Sequence, residues 1–86
     1  MITLIKTRSG RYINAYHTIA LSIEESRIEV EGRRERVYNL VAHLSQPLLP
    51  AVLGIYASEE HAQEALRKLV QDLSKGESIV EVESQF

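Results

Sequence analysis

Apolar residues recur with two different periods along this chain, and the change of period separates its strands from a helix. From Ala62 to Leu73 they fall at i, i+3, i+4, i+7, i+8 and i+11, which predicts an amphipathic helix over 59–75. Ser58 and the two glutamates that follow it favour a helix start at this point. The apolar stripe covers one side only, so we expect the helix to pack on a sheet.

Before the helix, apolar and polar residues alternate, and this pattern predicts strands. The segment "TRSGRY" contains a turn signal, Ser9-Gly10, and predicts a hairpin of strands over 2–8 and 11–23. With a two-residue turn, Lys6 lies opposite Ile13, and Ile5 falls on the polar face of the hairpin. The other face then collects the apolar set, which is Ile2, Leu4, Ile13, Ala15, Ile19, Leu21 and Ile23.

Two further strands are predicted in the middle of the chain. The strand over 35–44 has apolar residues on both faces, which indicates a central position. The next runs over 51–57, with Leu53 and Ile55 toward the helix and Val52 and Tyr56 on the opposite face.

The segments around these strands have less definite patterns. Residues 45–50 must connect strands, because prolines lack the amide donors of a ladder. Residues 24–36 either extend the second strand past a bend or form a separate excursion. Residues 78–83 predict a fifth strand, which pairs either within the chain or with another copy.

These elements predict an α+β fold in a single domain over 1–86. It is an antiparallel four-stranded β-meander with one amphipathic helix on one face, to which residues 78–83 add a strand. The segments "LGIYASEEHAQEALRKLVQDL" and "TRSGRYIN" resemble short uncharacterised bacterial proteins in which a strand meander is closed by one C-terminal helix. That resemblance covers about half of the chain and implies a fold, with no activity attached.

The composition of the chain mainly excludes certain kinds of site and membrane segment. The 86 residues include no cysteine, so a disulfide and a Cys-based zinc site are excluded. The longest apolar run is too short to span a membrane, and the N-terminus lacks the pattern of a signal peptide, so we expect a cytoplasmic protein without membrane contact. A core this small gains from self-association, which favours an oligomer.

Candidate chemistry is sparse. His17, His43 and His61 lack ligand spacing, so no metal site is predicted. The serines lie in turns, caps or polar faces, and glycine-rich phosphate loops are missing. We therefore expect neither an enzyme nor a cofactor.

The apolar surface around residues 45–52 is the main functional signal. It either packs under the loop as a satellite cluster or stays exposed as an association site. A single helix covers one face of a meander, so the second face is expected to bind another chain, with a two-fold homodimer favoured over an unidentified protein partner. The predicted interface residues are Leu48, Leu49, Pro50, Val52, Tyr56, Val37 and Val41.

Basic residues support a second hypothesis. Residues 1–43 carry seven Lys and Arg against five Glu, whereas 44–86 carry three against seven acidic residues. The basic residues gather at two predicted hairpin tips and form an alternative site for nucleic acid or another polyanion: Lys6, Arg8, Arg11, Arg33, Arg34 and Arg36. The negative net charge of the whole chain, −2, argues against that alternative.

Overall fold

The computed structural model describes residues 2–45 and 50–86, and in these residues the chain forms two small sheets and one helix. The strands are β1 (Leu4–Lys6), β2 (Tyr12–Asn14), β3 (Thr18–Val30), β4 (Arg33–Leu44), β5 (Ala51–Tyr56) and β6 (Ile79–Glu81), the helix is α1 (Glu59–Ser74), and a 3-10 turn spans Ala15–His17.

The strands divide between a small sheet, ordered β2-β1-β6, and a long sheet, ordered β3-β4-β5. The long sheet is antiparallel, whereas β1 pairs antiparallel with β2 and parallel with β6. The α+β class and the amphipathic helix are as predicted. A single four-stranded meander is not what the structure shows, and the C-terminal strand pairs within the chain beside β1.

The strand predicted over 11–23 is divided into β2 and β3, because a 3-10 turn replaces the ladder hydrogen bonds between them. The side chain of Asn14 accepts a hydrogen bond from the amide of Tyr16 at 3.0 Å and caps the 3-10 turn over Ala15–His17. The chain leaves the small sheet there and enters the long sheet at Thr18.

The segment 24–36 extends the strand and does not form a separate excursion. β3 continues to Val30, which pairs with Arg33 of β4. The two turn residues, Glu31 (φ 51°) and Gly32 (φ 78°), are both left-handed, as a tight hairpin turn requires. The result is a hairpin with arms of 13 and 12 residues.

The predicted register of the first hairpin is wrong by one residue. Its loop has three residues, because the amide of Thr7 donates to the carbonyl of Arg11 at 2.7 Å and Gly10 adopts φ 89°. Ile5 therefore pairs with Ile13. A shift of one residue exchanges the faces of a strand, so Ile5 is fully buried and Ile2 is 64% exposed.

The core lies between the two sheets and the helix. Its fully or nearly fully buried large side chains come from five elements: Ile5, Leu40, Leu53, Leu69 and Val80. We call the side of the long sheet that faces this core the helix-side face and the opposite side the open face.

The predicted facing of Ile55 and Tyr56 in β5 is wrong, because β5 contains a bulge. Leu40 pairs with Gly54 but Val41 pairs with Val52, so Leu53 is an extra residue on β5. The alternation of side chains reverses across it. As a result, Tyr56 lies in the core at 3% exposure, whereas Ile55 shares the open face with Val52.

The C-terminal segment lies along the outer edge of β5. The amide of Ile55 donates to Ser84 Oγ at 2.8 Å, and the amide of Gln85 donates to the Ile55 carbonyl at 2.9 Å. Further along the same strand, the amide of Arg8 donates to the carbonyl of Val52 at 3.0 Å. This edge of the long sheet is therefore occupied by the chain itself.

Candidate interaction site

The structure separates the predicted interface residues. Leu48 and Leu49 lie outside the described residues. Pro50 and Val52 are exposed, Val52 by 36%. Val37 (0% exposed) and Val41 (5%) lie on the open face as expected, but they are buried within one copy. Tyr56 (3% exposed) lies in the core on the opposite face.

The open face of the long sheet is more polar than predicted, because β3 places hydroxyl groups on it. Ser26 lies opposite Val37, and its Oγ accepts a hydrogen bond from Asn39 Nδ2 at 2.8 Å. Ser22 lies opposite Val41 in the same ladder. Sequence patterns leave Ser26 unplaced, because the path of 24–36 stays open in them. Its two-residue spacing from Glu24, and of Glu24 from Ser22, is the signal that could have put all three on one face.

One cluster on the open face joins a serine, a histidine and a carboxylate. Ser22 Oγ lies 2.8 Å from His43 Nε2 and donates to Glu24 Oε2 at 3.3 Å, and the same Nε2 lies 3.4 Å from Glu24 Oε2. In a serine-hydrolase triad the acid bonds the other ring nitrogen and so frees Nε2 to accept the serine proton. Here both groups share Nε2, so the arrangement ties β3 to β4 and does not activate the hydroxyl.

Among the strands that the structure describes, β3 has the longest outer edge without backbone hydrogen bonds. β3 is the terminal strand of the long sheet. Among residues 2–45 and 50–86, no backbone hydrogen bond joins Leu21–Val30 to anything on the side away from β4. None of the thirteen β3 residues is fully buried. Such an edge is a template for another strand.

This edge carries charges of both signs, Glu24, Glu25, Arg27 and Glu29, between its apolar residues. Glu25 and Arg27 share the helix-side face, where Arg27 lies directly opposite Arg36 of β4. Arg36 is held by Glu25, with 2.8 Å between its Nε and Oε1. In the described part of the chain, no carboxylate approaches the Arg27 side chain within 4 Å. Arg27 thus faces a like charge across the ladder, which is mildly unfavourable.

The two predicted basic clusters do not form one surface. Arg8 bonds Val52, which pairs with Val41, whereas Arg33 begins β4 eight residues away. Eight residues of strand span about 27 Å. Three of the six basic side chains also contact carboxylates, in the pairs Lys6–Glu81 (3.7 Å), Arg33–Glu35 (3.7 Å) and Arg36–Glu25 (2.8 Å).

A shallow groove combines members of both predicted sites. Its volume is about 480 Å³, and Arg8 and Arg11 line it together with Pro50 and Val52. Arg8 is already engaged, because its Nε donates to the carbonyl of Phe86 at 2.8 Å.

A second groove of about 480 Å³ separates α1 from the C-terminal segment. Lys68 and Asp72 line it at 2.8 Å from each other, and this hydrogen bond is the main cause that raises the pKa of Lys68. Tyr56 also lines the groove, and its hydroxyl donates to the carbonyl of Glu83. Burial, together with the charge of Glu83, raises the pKa of Tyr56 to about 12, so its phenol stays protonated and keeps this hydrogen bond above pH 10, where an exposed tyrosine ionises.

Neither a metal centre nor a membrane span is found in the described ranges. Residues 2–45 and 50–86 hold no group of three or more His, Asp and Glu side chains with the geometry of an ion site. Within the same residues no helix has the length and apolar character needed to cross a bilayer.

Comparisons with known proteins add no relative. The chain matches no protein-family model, no curated protein and no solved structure.

Proposed function

We propose that this chain is a non-enzymatic module that self-associates, and that the outer edge of β3 is its contact surface. The supporting observation is the unpaired backbone of β3, since its fellow edge strand β5 is closed by Arg8 and the C-terminal segment. An antiparallel pairing of two β3 strands would join two long sheets into one of six strands. This differs from the predicted interface, of which Val37, Val41 and Tyr56 are buried within one copy.

Natural edge strands are protected by charges and bulges, and β3 has both. The bulge lies at Thr18–Ala20, close to the start of the strand, and leaves Leu21–Val30 regular. The charges are Glu24, Glu25, Arg27 and Glu29. A single-sign edge would repel a copy of itself, but the mixed signs of β3 permit complementary pairing. Pairing would also cover Ile23, which is only partly buried in the core.

The test is the solution mass of four chains, measured by light scattering across a range of concentrations. The wild type is expected to exceed the 9.8 kDa of one copy. Arg27→Glu makes the charged residues of the edge uniformly acidic, so it is expected to give a monomer. The same change removes the Arg27–Arg36 opposition, so the folded monomer should be no less stable.

Two control variants separate this surface from the others. Arg67→Glu makes the same change of charge at an exposed helix position and should leave the mass unaltered. Val52→Glu tests the surface predicted from sequence and should also leave it unaltered. A monomeric wild type contradicts the proposal, and so does a dimer that Val52→Glu dissociates and Arg27→Glu does not.

A further inference from the structure

The positions of charge along β3 restrict how two copies can pair. In a two-fold antiparallel pair whose axis is perpendicular to the sheet, directly opposite side chains share a face. One residue therefore pairs with its own copy, and the axis passes midway between the two; we call this an axis through that residue. An axis through Glu24, Glu25 or Arg27 places that charge against its own copy, which is unfavourable.

Axes through uncharged residues differ in what they bring together. An axis through Ser22 or Ile23 draws the bulge at Ile19 into the pairing and aligns no opposite charges. An axis through Ile28 aligns Arg27 with Glu29, but it pairs only residues 26–30 of the strand and sets Glu25 against Glu31.

An axis through Ser26 avoids these conflicts. It pairs residues 22–30 of both copies and places Glu25 of each opposite Arg27 of the other, on the helix-side face. Resting on the proposed self-association, we infer that the two copies pair about an axis at Ser26. Glu25 then lies between Arg36 of its own chain and Arg27 of the second copy. Arg27, which faces Arg36 within its own chain, gains a carboxylate.

Single cysteines test this register directly, because the chain contains no cysteine of its own. Residues on the axis lie opposite themselves, within the Cα separation that a disulfide spans. Under mild oxidation Ser26→Cys is expected to form a covalent dimer in high yield. The matched variants Glu24→Cys and Ile28→Cys lie on the same face two residues away and should each cross-link at least tenfold more slowly.

Exchange of the two charges is the second test. Glu25→Arg and Arg27→Glu should each weaken association roughly tenfold or more, because each change replaces two attractions by two repulsions. The double variant restores both pairs and should associate within a few-fold of the wild type.

The outcomes distinguish the register from the proposed function. Fastest cross-linking at position 24 or 28, or a double variant as weak as its parents, overturns the Ser26 axis while the mass still shows a dimer. A wild type that stays monomeric overturns both the register and the self-association on which it rests.

Discussion

Gly54 lies where the structure leaves no space for a side chain, and adding a single methyl group there tests this. It lies on the same face of β5 as Tyr56, whose ring folds back over it. A Cβ at residue 54 would lie 2.8 Å from Tyr56 Cζ and 3.0 Å from Cε2, and closer still to the hydroxyl oxygen. The ring cannot remain where it is, and its hydroxyl holds the carbonyl of Glu83.

The cost of Gly54→Ala follows from this overlap. Overpacking of a core by one methyl group costs about 1–3 kcal/mol. Loss of the Tyr56–Glu83 hydrogen bond adds about 1 kcal/mol, and the lower backbone entropy of alanine in the unfolded chain returns a part of it. We expect a net loss of about 1–3 kcal/mol, which lowers Tm by roughly 4–8 °C for each kcal/mol in a domain of this size.

Urea and thermal unfolding measure this loss, at one fixed protein concentration because association also affects stability. The control is the same substitution in a Tyr56→Leu background, where no ring overlies residue 54. There we expect Gly54→Ala to cost less than about 0.5 kcal/mol. An equal cost in both backgrounds would refute the steric explanation, since independent sites are additive.

Three further predictions concern the fold. The free energy of unfolding should fall as pH rises from about 10 to 12, because Tyr56 loses its proton near pH 10 in the unfolded chain but keeps it to about pH 12 in the folded one. Tyr56→Phe should reduce this loss. Urea unfolding at pH 9 and pH 11.5 measures the difference. Ile5→Ala should cost about 2–5 kcal/mol and Ile2→Ala less than about 0.5 kcal/mol, measured by thermal unfolding. A larger cost for Ile2→Ala than for Ile5→Ala would favour the register with a two-residue turn. Ser58→Ala should cost about 1 kcal/mol, because Ser58 Oγ caps α1 by accepting from the amide of His61 at 3.2 Å; no change in helix content or Tm would contradict that role.

Sequence patterns predicted the parts of this fold in which periodicity is unbroken. The stripe from Ala62 to Leu73 predicted a helix over 59–75, against an observed Glu59–Ser74. The alternation around Leu40 predicted 35–44, against Arg33–Leu44. The helix repeats its pattern over at least three turns, and the strand repeats its alternation over at least three pairs of residues. Such a long repeat determines which face each residue occupies.

The wrong predictions of side-chain facing come from single extra residues that reverse the alternation of faces along a strand. The third loop residue of the first hairpin reversed the facing of Ile5, and the bulge at Leu53 reversed that of Tyr56. Period-2 reasoning cannot detect either, because the residues on both sides still alternate. The Asn14 cap divided a strand for a similar local reason.

The candidate site depended on the segment whose pattern was ambiguous. Once β3 is known to reach Val30, Ser26 falls on the open face together with Ser22, and Glu25 and Arg27 fall on the helix-side face. The left-handed pair Glu31-Gly32 is the local feature that joins the two long strands. An exposed edge is a property of sheet order, and sheet order follows from contacts far apart in sequence, so the sequence pattern alone did not reveal it.

Hydrogen exchange of the β3 amides tests the central claim most directly. In a β3-paired dimer, the amides of Leu21–Val30 that point away from β4 are protected at high protein concentration and lose that protection on dilution. The amides that bond β4 stay protected throughout. If the outward β3 amides exchange at the same rapid rate at every concentration, the edge binds no second copy and the account is contradicted.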